Sequence, residues 1–178
     1  MSPATSPRVK ICGITRAEDG LAAAAAGADA IGLVFADSPR RVAPAQAQAI
    51  VRALPPFIKV VGLFVDAGEA EVKEVLRQVP LDLLQFHGRE SPEFCRAAGR
   101  PYIKAIAMQA GKDVTAEAAH YPDAAGLLFD AYHPALAGGS GETFDWERVP
   151  RGLQQPVILA GGLTPENVAA AVRAVRPR

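Results

Sequence analysis

The sequence predicts an α/β fold, namely a (β/α)8 TIM barrel that lacks its eighth strand and helix. Short apolar segments alternate with Ala-rich or amphipathic segments along the 178 residues. This alternation is typical of parallel strands joined by right-handed helical crossovers. The apolar segments, such as "IKVVGLFV", are nearly continuous, which indicates strands that are covered on both faces. Glycine or polar residues follow nearly every segment, and in a barrel these strand ends meet at one face.

Seven strands and seven helical segments are expected. A Ser- and Pro-rich tail over residues 1–7 is expected to be disordered, and a single barrel domain is expected over 8–178. Ser91–Pro92 and Thr164–Pro165 each fit a helix N-cap followed by a proline in the first turn. The predicted strands are 8–12, 30–35, 58–65, 81–86, 102–107, 125–130 and 156–160. The predicted helical segments are 16–28, 43–55, 68–79, 91–99, 113–121, 145–150 and 164–175.

Seven βα units also fit an open doubly wound sheet. We prefer the barrel because an open sheet needs functional residues only at its switch point, whereas here they recur along the chain. The chain stops at "VRAVRPR", where an eighth strand should begin.

Composition excludes several classes of protein. The 19 basic and 19 acidic residues cancel, which argues against a nucleic-acid partner. Two cysteines form neither a disulfide framework nor a zinc cluster, and the histidines lack metal-ligand spacing. The N-terminus has no apolar signal segment, and no apolar run is long enough to span a membrane. We therefore expect a cytoplasmic protein with reduced thiols, no metal and no membrane partner.

Two strand ends carry residues suited to proton transfer. Cys12 ends the first strand, where a free cysteine is either a small core residue or a base whose thiolate needs a nearby cation. Lys10 shares its strand face and could be that cation. Asp130 ends the sixth strand, where it either caps a turn or, if buried, keeps its proton and donates it. Cys95 lies in a helical pattern and is expected to be structural.

Three other features suit ligand binding. The Arg40–Arg41 pair is either solvated surface or, over a barrel mouth, holds a carboxylate through two parallel hydrogen bonds. Gln85 and His87 lie at the C-terminal edge of the fourth strand, where His87 suits hydrogen bonding better than catalysis. Glycines in "GGSG" (138–141) and "AGGLTPEN" (160–167) are either ordinary turns or N–H cradles for phosphate. Barrel phosphate sites cluster after strands seven and eight.

Taken together and in order, these motifs carry a specific resemblance. The motifs, which run from Val9 to Val168, are "VKICGIT", "GADAIGLVF", "SPRRV", "VGLFVD", "LLQFHG", "IKAI", "LLFDAY", "GGSGETFDW" and "ILAGGLTPENV", and the resemblance covers nearly everything from Arg8 to Pro177. The chain resembles the phosphoribosylanthranilate isomerases of tryptophan biosynthesis. The resemblance implies a cofactor-free Amadori rearrangement of N-(5-phosphoribosyl)anthranilate to 1-(2-carboxyphenylamino)-1-deoxyribulose 5-phosphate.

The resemblance also implies roles for individual residues. Cys12 matches the general base that removes the sugar C2 proton, and Asp130 matches the general acid that protonates the ring oxygen. Arg41 matches the arginine that holds the anthranilate carboxylate. The remaining substrate-binding residues would be Gln85, His87, Gly139, Ser140, Gly141, Gly161 and Gly162. The expected partner is a small phosphosugar, and the chain is expected to be a monomer or homodimer.

The sequence departs from the family in one respect. The family continues past "RPR" into an eighth strand, a second phosphate loop and a last helix. We therefore expect weakened phosphate binding and stability, and a non-catalytic phosphosugar-binding fragment is the alternative function. A related isomerase of histidine biosynthesis is disfavoured, because it would carry aspartates at the ends of strands one and five, where this chain has Cys12 and "IKAI".

Overall fold

The computed structural model describes residues 7–131 and 143–177. They group into two compact units, Arg8–Tyr102 and a second unit that starts at Ile103. The boundary falls at the first residue of the fifth strand. Both units are built from parallel strands and helices, as the apolar alternation predicts. The expectation of a single domain over 8–178 stays a prediction.

The first unit contains four parallel strands in the order β1-β2-β3-β4. Each strand is followed by a helix, so the unit is four consecutive βα repeats. The strands are β1 (Lys10–Cys12), β2 (Ala30–Val34), β3 (Lys59–Phe64) and β4 (Leu83–Phe86). The helices are α1 (Ala17–Ala25), α2 (Pro44–Ala53), α3 (Glu69–Gln78) and α4 (Pro92–Ala97).

The second unit has three parallel strands in the order β5-β6-β7. Its strands are β5 (Tyr102–Ala107), β6 (Gly126–Asp130) and β7 (Val157–Leu159). Its helices are α5 (Val114–Ala119) and α6 (Val168–Val175), and a single 3-10 turn covers Trp146–Arg148. None of the helices in the described ranges is both long and apolar enough to cross a membrane.

All seven predicted strands are confirmed within one or two residues at each end. In both units the strand order rises with chain order and never reverses. An open doubly wound sheet reverses its order at the switch point, so the order favours the barrel. The segment 145–150 forms only the 3-10 turn Trp146–Arg148, with the Asp145 side chain accepting a hydrogen bond from the Glu147 N–H at its start.

One predicted helix cap is confirmed and the other is wrong. The Ser91 hydroxyl accepts a hydrogen bond from the Phe94 backbone N–H at 3.2 Å, with Pro92 in the first turn. Thr164 does not cap α6, which begins at Val168. The reason is Asn167, whose side chain ties back to the backbone of Gly162 and Thr164 and makes residues 164–167 a turn.

Strand alternation separates an aromatic face from a site-bearing face in the first unit. Phe64 and Phe86 are paired in register and fully buried, with ring centroids 6.2 Å apart. Phe86 also contacts Phe94 of α4, so this face packs against the helices. Truncating such a phenylalanine to alanine costs about 3–5 kcal/mol. Gln85 directly precedes Phe86 in β4, and strand alternation therefore points it away from the helix layer.

Candidate active site

Cys12 lies at the end of β1, half-buried, over a glycine of the neighbouring strand. A Cβ placed on Gly32 would lie 2.7 Å from the Cys12 Sγ and 3.3 Å from the Lys10 Nζ. Both side chains therefore lie over Gly32, which pairs with Cys12 in register, and the predicted shared face is confirmed. The missing side chain at position 32 leaves room for the thiol. The ammonium group places a positive charge over the same glycine as the thiol.

Arg40 covers the turn that follows Cys12. Gly13 has a φ of +86°, and a Cβ there would lie 2.6 Å from the Arg40 Cδ. The Arg40 guanidinium also donates to the Cys12 carbonyl oxygen at 3.4 Å. The residue pattern alone did not distinguish the two adjacent arginines, and only the resemblance singled out Arg41. The structure places Arg40 against the Cys12 carbonyl oxygen and the Gly13 turn.

Arg41 has a different environment. Its backbone N–H donates to the Ser38 carbonyl at 3.0 Å, which holds the residue just beyond β2. Its side chain is mostly exposed, and its guanidinium lies 3.8 Å from the Glu71 carboxylate. An exposed pair at this distance contributes little to stability. The guanidinium is therefore available to exchange Glu71 for the carboxylate of a ligand.

Gln85 and His87 form a hydrogen-bonded pair at the end of β4. The Gln85 Nε2 lies 2.9 Å from the His87 Nδ1, and the His87 backbone N–H donates to the Phe64 carbonyl at 2.9 Å. The Gln85 side chain is 2% exposed. Its Oε1 has no hydrogen-bond partner among the residues that the structure describes. A buried amide oxygen without a partner is costly, so this atom is suited to accept a hydrogen bond from a ligand.

Asp130 ends β6 and is 6% exposed. A Cβ placed on Gly161 would lie 2.7 Å from the Asp130 Oδ1 and 2.5 Å from the Ala131 N. The carboxyl group therefore lies against the bare α-carbon of Gly161. Within the second unit, the predicted acid and the predicted phosphate-binding glycine are brought together.

The Gly161–Gly162 turn owes its shape to glycine. The two residues have φ values of +84° and +59°, which side-chain-bearing residues rarely adopt. Asn167 fixes the turn, because its Nδ2 donates to the Gly162 carbonyl and its Oδ1 accepts from the Thr164 N–H, both at 2.8 Å. Glycine turns of this kind are a common setting for backbone N–H groups that bind an anion.

Three of the predicted site residues, Gly139, Ser140 and Gly141, lie outside the described residues. Cys95 is fully buried in α4, as expected of a structural cysteine. Among residues 7–131 and 143–177, no group of three or more His, Cys, Asp or Glu side chains is arranged to hold a metal ion.

Sequence reasoning missed two residues that shape the strand ends. Glu90 is buried and accepts hydrogen bonds from the backbone of two loops. Asn167 organises the glycine turn. The signal for Glu90 was a charged residue three positions after a strand-end histidine, and the signal for Asn167 was an asparagine five positions after paired glycines. Neither pattern identifies a hydrogen-bond partner without the fold.

The described groups fall into sets with complementary chemistry. The first unit supplies a thiol that shares its strand face with an ammonium group, an exposed guanidinium and a buried amide–imidazole pair. The second supplies a buried carboxyl group beside an anion-suited turn. Thiol and carboxyl groups are both side-chain types that serve in general acid–base catalysis.

Comparison with known proteins gives a consistent result. The family model of N-(5'-phosphoribosyl)anthranilate isomerase matches residues 9–177. The isomerase of Pseudomonas fluorescens is 61% identical over 171 residues, which are 96% of this chain and 81% of that protein. The isomerase of Alcanivorax borkumensis is 60% identical over 174 residues, which are 97% of this chain and 80% of that protein.

Solved structures agree. The crystal structure of phosphoribosyl anthranilate isomerase from Thermotoga maritima has a TM-score of 0.88 and 38% identity, covering 97% of this chain and 85% of that chain. Another isomerase structure, in complex with reduced 1-(o-carboxyphenylamino)-1-deoxyribulose 5-phosphate, has a TM-score of 0.84 and 36% identity, covering 97% and 84% of the two chains. These matches confirm the predicted α/β fold of the (β/α)8 barrel type.

Proposed function

The chain belongs to the N-(5'-phosphoribosyl)anthranilate isomerase family, and from this premise we propose how its own residues perform the reaction. The activity is the isomerisation of N-(5'-phosphoribosyl)anthranilate in tryptophan biosynthesis. The reaction converts an aminoaldose phosphate into the corresponding aminoketose. It requires one proton to be donated and another to be removed at defined atoms of the substrate. The product has the same atoms and the same number of electrons as the substrate.

We assign Asp130 as the general acid. Its proton goes to the furanose ring oxygen while the C1–O bond breaks, and the amine lone pair forms a C1=N iminium bond. The carboxyl group suits this role because it is 6% exposed at the end of β6, where water does not compete for the proton. The turn at Gly161 contacts it and fixes its distance from any anion bound there.

We assign Cys12 as the general base. The Cys12 sulfur takes the proton from C2 of the iminium, the C–H electron pair forms the C1=C2 bond of an enolamine, and the C1=N π pair returns to nitrogen. Return of a proton to C1 and loss of the enol O–H proton then give the C2 ketone. The Lys10 ammonium lies over the same glycine as the Cys12 sulfur, and the Arg40 guanidinium donates to the Cys12 carbonyl oxygen.

Binding residues are assigned by the chemistry of the substrate's two anionic ends. Arg41 would hold the anthranilate carboxylate through its planar guanidinium. The phosphate would lie on the N–H groups of Gly161 and Gly162, completed by Gly139, Ser140 and Gly141. Gln85 and His87 would offer further hydrogen bonds to the substrate. Anchoring both ends turns proton transfer into a reaction between groups already in position.

The observation that carries this proposal is the contact of the Asp130 carboxyl group with Gly161, because it joins an acid to a phosphate-suited turn. The test is turnover of N-(5'-phosphoribosyl)anthranilate, followed by the loss of substrate fluorescence. Turnover by the wild-type chain that Cys12→Ala abolishes and Cys95→Ala preserves would support the assignment. A folded wild-type chain that binds the substrate without converting it would favour the non-catalytic alternative.

A further inference from the structure

We propose that Glu90 and Asp66 are positioning residues that lock the loops after β3 and β4 and thereby hold the Gln85–His87 pair in place for the substrate. This inference rests on the proposed function, because it concerns the same site. The β3–β4 clasp is the set of residues Asp66, Gly88, Arg89 and Glu90, joined by side-chain-to-backbone hydrogen bonds in both directions.

Glu90 ties its own loop to the loop after β3. Its Oε1 accepts a hydrogen bond from the Asp66 N–H at 2.9 Å. The Gly88 N–H donates to the Glu90 Oε2 at 3.0 Å and is shared with Oε1 at 3.2 Å. Glu90 is only 6% exposed, and these backbone N–H donors replace the water that a buried carboxyl group loses.

Asp66 makes the reciprocal hydrogen bond, from the loop after β3 to the loop after β4. Its Oδ1 accepts a hydrogen bond from the Arg89 N–H at 2.5 Å, and its Oδ2 lies 3.8 Å from the Arg89 Nε. The side chain of each loop is thus bound to the backbone of the other. Asp66 has a φ of +49°, a left-handed conformation that aspartate and asparagine tolerate better than most residues.

Gly88 allows the two loops to approach this closely. A Cβ at this position would lie 2.7 Å from the Asp66 backbone N and would collide with the Asp66 carboxylate. The clasp therefore depends on the absence of a side chain at position 88. This close approach distinguishes the clasp from an ordinary surface ion pair, which leaves both loops free to move.

The clasp reaches the candidate site through the peptide bond between His87 and Gly88. Fixing the Gly88 N–H fixes the carbonyl end of His87, while the His87 N–H is held by the Phe64 carbonyl. With both sides of its backbone held, the imidazole keeps its 2.9 Å contact with the Gln85 amide. With the Gln85 amide held by His87, its Oε1 remains available to accept a hydrogen bond from the substrate.

The test compares Glu90→Gln and Asp66→Asn with Glu93→Gln. Glutamine keeps the shape of Glu90 but replaces one acceptor oxygen with an NH2 group, and the asparagine in Asp66→Asn tolerates the same φ as aspartate. Glu93 is an exposed carboxylate in the first turn of α4, paired with Arg96 at 3.0 Å, and serves as the matched control. Each variant is assayed for kcat and KM, for melting temperature, and for amide exchange and His87 ring shifts by NMR.

We expect Glu90→Gln to raise KM for N-(5'-phosphoribosyl)anthranilate by about tenfold, below the ~10²-fold that a 1 Å misplacement costs. The Asp66 and Gly88 amides should exchange faster in Glu90→Gln, and the Arg89 amide faster in Asp66→Asn. Because both act through one clasp, the double variant should lose less than the product of the single losses. Glu93→Gln should resemble wild type.

Two outcomes would overturn the proposal. One is faster amide exchange with unchanged KM and unchanged His87 ring shifts, which would make the clasp a local structural contact only. The other is a lowered melting temperature with unchanged kinetic constants well below it, which would assign Glu90 to stability alone. A wild-type chain without turnover would contradict the proposed function instead, and the His87 ring shifts would still decide whether the clasp positions this residue.

Discussion

The two units place their candidate residues by different means. In Arg8–Tyr102, side chains do the placing: Lys10 and Arg40 flank Cys12, and Glu90 holds the backbone next to His87. In the second unit, backbone conformation does it, because the left-handed Gly161 and Gly162 form the turn against which Asp130 lies.

This difference predicts two kinds of sensitivity. A region built by charged side chains should respond to substitutions that change charge or hydrogen-bonding capacity and should tolerate small changes in volume. A region built by glycine conformation should respond to one added methyl group and be indifferent to nearby charge. The chemistry matches, because a thiolate needs nearby cations, whereas a phosphate is well served by backbone N–H groups.

The largest effect on turnover is expected when the reacting group of either region is removed. Cys12→Ala and Asp130→Ala should each lower turnover by about 10²–10⁴-fold, since each removes one proton-transfer group. Substrate binding should change much less than turnover. The measurement is steady-state fluorescence with Cys95→Ala as the control, and near-wild-type turnover by Asp130→Ala would remove Asp130 from the acid role.

The next effect tests the backbone-built region. Gly161→Ala should lower kcat/KM by roughly 10–10²-fold, because the new methyl group would enter the space of the Ala131 N and the Asp130 carboxyl group. Gly152→Ala is the matched control, because Gly152 also has a positive φ, +77°, but nothing lies within 4 Å of its added Cβ.

Both glycine variants should lose about 1–2 kcal/mol of unfolding free energy from the unfavourable φ. Only Gly161→Ala should lose activity. Equal kinetic losses in the two variants would show that strain, and not the contact with Asp130, explains the effect.

A third prediction distinguishes Arg40 from Arg41 by which kinetic constant each substitution changes. Arg41→Ala should raise KM by about 10–10²-fold with little change in kcat, the size expected for a lost charged hydrogen bond. Arg40→Ala should instead lower kcat, because its guanidinium lies on the Cys12–Gly13 turn. Separate kcat and KM values for the two variants, with exposed Arg52→Ala as control, test this, and the reverse pattern would exchange their roles.

The sequence predicted the strands and the identity of the strand-end residues, because both follow from local apolar patterning. It predicted that Lys10 and Cys12 share a face, since pleat alternation needs no tertiary information. Only the resemblance separated Arg41 from Arg40, and no sequence pattern found a role for Glu90, since these depend on which backbone groups another loop presents. Thr164 was wrongly assigned as a cap because α6 begins only at Val168, after a turn held by the Asn167 side chain.

The smallest effects are expected from substitutions of two side chains that hold turns or helix ends, Ser91 in the first unit and Asn167 in the second. Ser91→Ala removes the cap of α4 and should cost about 1 kcal/mol of unfolding free energy with unchanged kinetics, because α4 supports no candidate residue directly. Asn167→Ala should cost a similar free energy but also raise KM a few-fold, since the same side chain holds the Gly162 carbonyl. Denaturant unfolding and substrate titration of both variants decide the matter. If Asn167→Ala changed stability alone, the turn would keep its conformation without the Asn167 hydrogen bonds. The conformational preference of Gly161 and Gly162 would then be enough to form it.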